Sequence, residues 1–150
     1  MSQPGYPGAA SWRESLKKLG VRKKDITLVP FTEPLLHTLS EAFTIATFVK
    51  KRGATHLVIT APPFHALRCF LSMVTAVRTL GTNLKVYTQV GITQSWNEHA
   101  FHSQNTTLWK RKDLIVGEIQ RILQYQREGR PVPLISTDKA LAYLEWRDSQ

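Results

Sequence analysis

Apolar positions along the chain fall into strand-like and helix-like runs that alternate. Leu57 to Ala61 is an unbroken β-favouring run stopped by Pro62-Pro63, which predicts a buried strand. Leu67, Phe70, Leu71, Val74 and Val77 then recur at helical spacing and predict a helix from about Phe64 to Leu80, stopped by Gly81. Leu84 to Val90 alternates more and predicts a strand nearer a sheet edge. Upstream, Leu39, Ala42, Phe43, Ile45, Ala46, Phe48 and Val49 form one broad face, opened by Thr38 as cap with Glu41 three residues on and ended at Gly53. Ile26 to Phe31 predicts a third, short strand bounded by Pro30 and Pro34. Trp12 to Leu19 predicts a short helix, with Ser11 and Glu14 at its start and Gly20 at its end. After a polar loop with Trp96 and Trp109, a long amphipathic helix is expected from about Thr107 to Arg127, with Ile115, Ile119, Ile122 and Leu123 inward. Residues 137–147 predict a last short helix.

Strands alternating with helices imply βαβ units and a parallel sheet. The expected fold is α/β: a Rossmann-like three-layer sandwich with a short, mostly parallel sheet of three strands. Residues 1–11 read as a disordered lead, and 12–150 as one domain. So short a sheet has an open edge, through which a second copy or another chain could pair.

Charge changes this picture by adding partners. Twenty basic against eleven acidic residues give +9, which favours anionic partners: small phosphorylated ligands, nucleic acid or acidic surfaces. Lys17-Lys18, Arg22-Lys23-Lys24, Lys50-Lys51-Arg52 and Lys110-Arg111-Lys112 carry much of it, and two of these clusters fall at helix ends, where cations suit the helix dipole. No apolar run is long enough to span a bilayer, and residues 1–10 lack the apolar core of a secretory signal, so the expected location is cytoplasmic. The single Cys69 rules out an internal disulfide and reads as a packing residue.

The candidate chemistry gathers at the strand-to-helix step. His65 and Arg68 lie one helical turn apart near a helix N-terminus, where an anion is attracted and an Arg fork can clamp it. His65 is the candidate acid/base, and Thr60 ends the strand that delivers it. Thr38 and Glu41 read first as a capping box and second as ligand contacts. His37, His56, His65, His99 and His102 lack the partners a zinc site needs, so no metal is expected. Trp96, Trp109 and Tyr87 read as packing or lid residues rather than a clamp for a flat ligand. Glu118 and Arg121 read as a surface pair. There is no glycine-rich phosphate loop, no Ser-His-Asp order and no paired carboxylates, which argues against nucleotide hydrolysis and metal-dependent transfer.

Val58-Ile59-Thr60-Ala61 through His65 and Arg68 resembles the strand-then-His-x-x-Arg segment of the YdcF-like domain family. Leu19-Gly20-Val21, Ile26 and Thr38-x-x-Glu41-Ala42 are similar to its preceding segment, and Glu118 to a glutamate in its last long helix. The resemblance covers roughly residues 12–128 and lacks the family's first two strands with their glycine turns. It implies a Rossmann-like domain with a ligand crevice at the carboxyl ends of the strands, built from Thr38, Glu41, Thr60, His65, Arg68 and Glu118. It also implies S-adenosylmethionine as a cofactor candidate. Two functional classes stay open: a domain that binds a small anionic or nucleotide-type ligand, and a non-catalytic module that pairs with another chain or binds nucleic acid.

Overall fold

A computed structural model describes residues 9–30, 37–92, 94–102 and 105–149. The described chain is mixed α/β, with five helices and two separate two-stranded sheets. In order these are α1 (Ala9–Lys18), α2 (Thr38–Lys51), β1 (His56–Thr60), α3 (Pro63–Thr79), β2 (Lys85–Gln89), β3 (His99–His102), β4 (Asn105–Lys110), α4 (Arg111–Glu128) and α5 (Thr137–Asp148). β1 and β2 pair in parallel with α3 between them, so the βαβ unit expected around Leu57 to Ala61 is present.

The first three helices end by the same device. Gly20, Gly53 and Gly81 take positive φ, which a side chain resists. The amides of Gly20 and Val21 reach back to Lys17 O and Leu16 O. Those of Gly53 and Ala54 reach Lys50 O and Val49 O, and those of Gly81 and Thr82 reach Arg78 O and Val77 O. Each is a Schellman closure that satisfies the last carbonyls of its helix.

Four expectations are corrected. Residues 26–30 form irregular chain after a 3-10 turn at Lys23–Asp25, so the parallel sheet has two strands, not three; Phe31 lies outside the described residues. Pro30 offers no amide to a ladder, which weakens that segment as a strand. The polar loop before the last long helix is a β3–β4 antiparallel hairpin, and that helix starts at Arg111 rather than Thr107. α1 starts at Ala9, inside the lead read as disordered; residues 1–8 lie outside the described residues. The cap of α2 is His37, not Thr38: its ring accepts from Ser40 N at 3.2 Å while Ser40 Oγ accepts from His37 N at 3.2 Å. Glu41 has no part in that cap.

The core is one cluster. Leu39, Ala42 and Ala46 of α2 meet Leu71, Val74 and Val77 of α3, with Val86 of β2 and Tyr143 of α5. Leu57 and Ile59 of β1 pack against it. Strand alternation then turns His56, Val58 and Thr60 to the opposite face, where all three are exposed. Leu67 is 58% exposed, so the inward face of α3 is set by Leu71, Val74 and Val77. α4 is also turned from its expected orientation. Ile119 and Leu123 are exposed, whereas Leu114 and Glu118 are buried.

The outer edge of β2 is closed by α5. Val86 N donates to Tyr143 Oη at 2.8 Å, Tyr143 Oη donates to Leu84 O at 2.8 Å, and Arg147 donates to Val86 O at 2.9 Å. Two side chains thus take the hydrogen bonds that a further strand would take.

Candidate functional site

The first turns of α2 and α3 meet the middle of α4, and four of the six candidate residues come together there. Arg68, 1% exposed, lies with its guanidinium flat against the carboxylate of Glu118, itself 3% exposed. Nε donates to Oε2 at 2.7 Å and NH2 to Oε1 at 3.0 Å, a bidentate pair. Arg68 NH1 donates to Thr38 Oγ1 at 2.7 Å. His65 Nδ1 lies 2.8 Å from Glu118 Oε2, and Arg121 NH1 donates to Glu118 Oε1 at 3.1 Å. Each carboxylate oxygen therefore takes two partners.

Local sequence explains the arrangement. Thr38 occupies the first position of α2 because His37 serves as the cap, so its hydroxyl is left to meet Arg68. His65 and Arg68 are three apart and share a face of α3. Leu114, Glu118, Arg121, Ile122 and Tyr125 share one face of α4 by the same rule. Tyr125 lies beneath both Arg68, 5.7 Å from its ring centroid, and His37, edge-on at 5.7 Å. Glu118 was expected on the surface, but the need to neutralise a buried guanidinium draws it in and turns Ile119 and Leu123 outward.

Two guanidinium groups, those of Arg68 and Arg121, face the Glu118 carboxylate. The N-terminal ends of α2 and α3 add the positive ends of their dipoles. The backbone of α3 adds little else: Pro62 and Pro63 have no amide hydrogen, and the amides of His65 and Ala66 both donate to Pro62 O.

A carboxylate on Nδ1 holds the ring proton on that atom, which leaves the lone pair on Nε2. Only 18% of the His65 side chain is exposed, against 1% for Arg68. Solvent and any ligand meet the imidazole before the guanidinium.

The other two candidates stand apart from this contact set. Thr60 is exposed at the end of β1, paired in register with Gln89 and five residues before His65. Glu41, in the first turn of α2, is half-buried and close enough to Cys69 to act on its thiol. Burial pushes that thiol up to about 12, with Arg68 pulling against it and Glu118 and Glu41 adding to it. Cys69 is thus a neutral packing group at ordinary pH. Tyr87 stacks with His56 at 6.1 Å and lies 4.7 Å under Arg147, while Trp96 and Trp109 are about half-exposed around the hairpin.

Sequence reasoning missed His37, Tyr125 and the true position of Arg121. The signal for two of them was available: Glu118, Arg121 and Tyr125 stand at i, i+3 and i+7. Among the described residues, no group of three His, Cys, Asp or Glu side chains is placed to hold a metal ion. No described helix is long and apolar enough to cross a membrane. Set against family models, curated proteins and solved structures, the chain matches none.

Proposed function

We propose that the chain is a YdcF-like α/β domain, Rossmann-like in organisation, that binds a small anionic or nucleotide-type ligand beside His65, at the carboxyl end of β1. The observation that carries this reading is the bidentate Arg68–Glu118 pair with His65 Nδ1 on the same carboxylate. Burying a guanidinium and a carboxylate costs several kcal/mol each before their attraction is counted, and a well-packed apolar pair would serve stability as well. A charged junction kept at a helix N-terminus, with one titratable edge toward solvent, fits a binding role better than a packing role.

In this reading His65 faces the ligand: the neutral ring accepts a proton at Nε2, and only the protonated ring donates a hydrogen bond from it to an anion. Glu118 fixes the ring, and Arg68 and Thr38 fix Glu118; these three are positioning residues. Arg121 adds a second guanidinium to the same carboxylate. Thr60 and Glu41 line the approach from β1 and α2. S-adenosylmethionine is one ligand the resemblance suggests, and a cytoplasmic location goes with this reading.

Thermal-shift titration with inorganic phosphate, adenosine monophosphate and S-adenosylmethionine tests it. At least one should raise the Tm of the wild-type chain. His65→Ala should keep the unliganded Tm close to wild type and lose the shift. Equal shifts in both proteins, or none with any probe, would overturn the site.

A second reading is favoured by β1. Val58 is 56% exposed on a strand whose only described partner is β2. That suits a non-catalytic module pairing with another chain or, through its basic surface, binding nucleic acid. Light scattering and salt-dependent nucleic-acid binding separate the two readings; a monomer with no such binding leaves only the first.

A further inference from the structure

α1 buries none of its residues, yet it is neither wholly polar nor irregular. Trp12, Leu16 and Leu19 stand at i, i+4 and i+7 and form one stripe; they are 51%, 38% and 81% exposed. The Schellman closure at Gly20 folds Val21 back so that its amide bonds Leu16 O at 3.0 Å, which adds Val21 to the end of the stripe. Helical spacing places Arg13 and Lys17 along one side of this stripe and Lys18 on the far side. Arg22, Lys23 and Lys24 follow in the next turn.

The segment from Arg13 to Asp25 thus carries six basic residues against two acidic ones. Both acidic residues are answered within the segment: Lys17 holds Glu14 at 2.9 Å and keeps its carboxyl below the usual range, and Arg22 holds Asp25 at 2.5 Å. The excess is cationic and borders the apolar stripe.

We infer that α1 and the basic turn after it form a peripheral anchor that lays the Trp12–Leu16–Leu19 stripe into an anionic lipid surface. This goes beyond the ligand site and is independent of it. Charge decides the occupant. A second copy would bring another +9 chain against this one, and nucleic acid would satisfy the cations but leave the stripe in water. A lipid surface with acidic headgroups takes both parts at once, with Trp12 at headgroup level and the leucines below it. The helix lies on such a surface, since it is far too short to span one.

The test is flotation of the full chain with phosphatidylcholine vesicles, alone or with about a third phosphatidylserine. Binding should appear only with phosphatidylserine and fade as salt rises. Leu16→Ser with Leu19→Ser should weaken it roughly tenfold, as should Lys23→Gln with Lys24→Gln. Neither pair should move Tm, because α1 buries nothing. Equal binding to neutral vesicles, no binding to either, or a Tm loss in the serine pair would overturn the anchor. So would a dimer that dissociates in the serine pair, since the stripe would then belong to a second copy.

Discussion

The α2–α3–α4 junction and the outer face of the parallel sheet invert the usual distribution of side chains. Arg68 and Glu118 are inside at 1% and 3% exposure, while Val58 stands outside at 56%. The buried charges are tolerated because each has several partners with good geometry. The exposed valine is tolerated because one apolar side chain in water costs little. The contrast separates what holds this fold from what is available to others. The junction is internally satisfied and exposes part of one imidazole; the sheet closes one edge with α5 and presents Val58 on the strand at the other.

The largest test breaks the junction. Glu118→Leu leaves Arg68 and Arg121 without their carboxylate and should cost about 3–5 kcal/mol in urea unfolding. Adding Arg68→Met should restore part of that loss, because the stranded charge is removed. A double variant less stable than Glu118→Leu would show that the pair itself, not the stranded charge, sets the cost.

Next comes the closed edge of the sheet. Tyr143→Phe strands Val86 N and Leu84 O and should cost about 1–3 kcal/mol. A loss under about 0.5 kcal/mol would show that α5 does not seal β2.

Cys69 gives a pH signature. Its thiol sits at about 12 when folded against an ordinary value of 9.0, with burial the first cause. The native state therefore holds this proton more tightly than the unfolded chain does. The resulting stability is complete below pH 9.0 and is lost as pH rises from there toward about 12. Wild type should lose stability faster than Cys69→Ala across that window, and parallel curves would refute the assignment.

Two small effects complete the contrast. Ser72 Oγ is buried with no hydrogen-bond partner among the described residues, so Ser72→Ala should be neutral or stabilising by up to about 1 kcal/mol. Val58→Thr should change stability by less than about 0.5 kcal/mol. A larger loss would mean that the outer face of β1 is covered in solution.

The parts of the fold legible in the sequence were those governed by local rules. Pro62-Pro63 and the glycines at 20, 53 and 81 marked element ends because backbone conformation there depends on the residue itself. The apolar run at Leu57 placed β1, and alternation placed β2. What failed was decided by distant partners. Thr38 looked like a cap until Arg68, thirty residues on, offered its hydroxyl a charged donor. Glu118 looked like a surface residue because periodicity ranks Ile119 and Leu123 above it, and no local rule anticipates a guanidinium fifty residues away. Ile26 to Phe31 looked like a strand, but no strand among the described residues pairs with Ile26 to Pro30. Of the candidate site, Thr38, His65, Arg68 and Glu118 were legible as a set through the resemblance, while their mutual contacts were not.

The most direct test of the junction is the tautomer of His65, read from long-range nitrogen–proton correlations of its neutral imidazole ring. The account predicts the proton on Nδ1, held by Glu118, with Nε2 as the unprotonated nitrogen. A neutral ring protonated at Nε2 would contradict it, because Glu118 would then not orient His65.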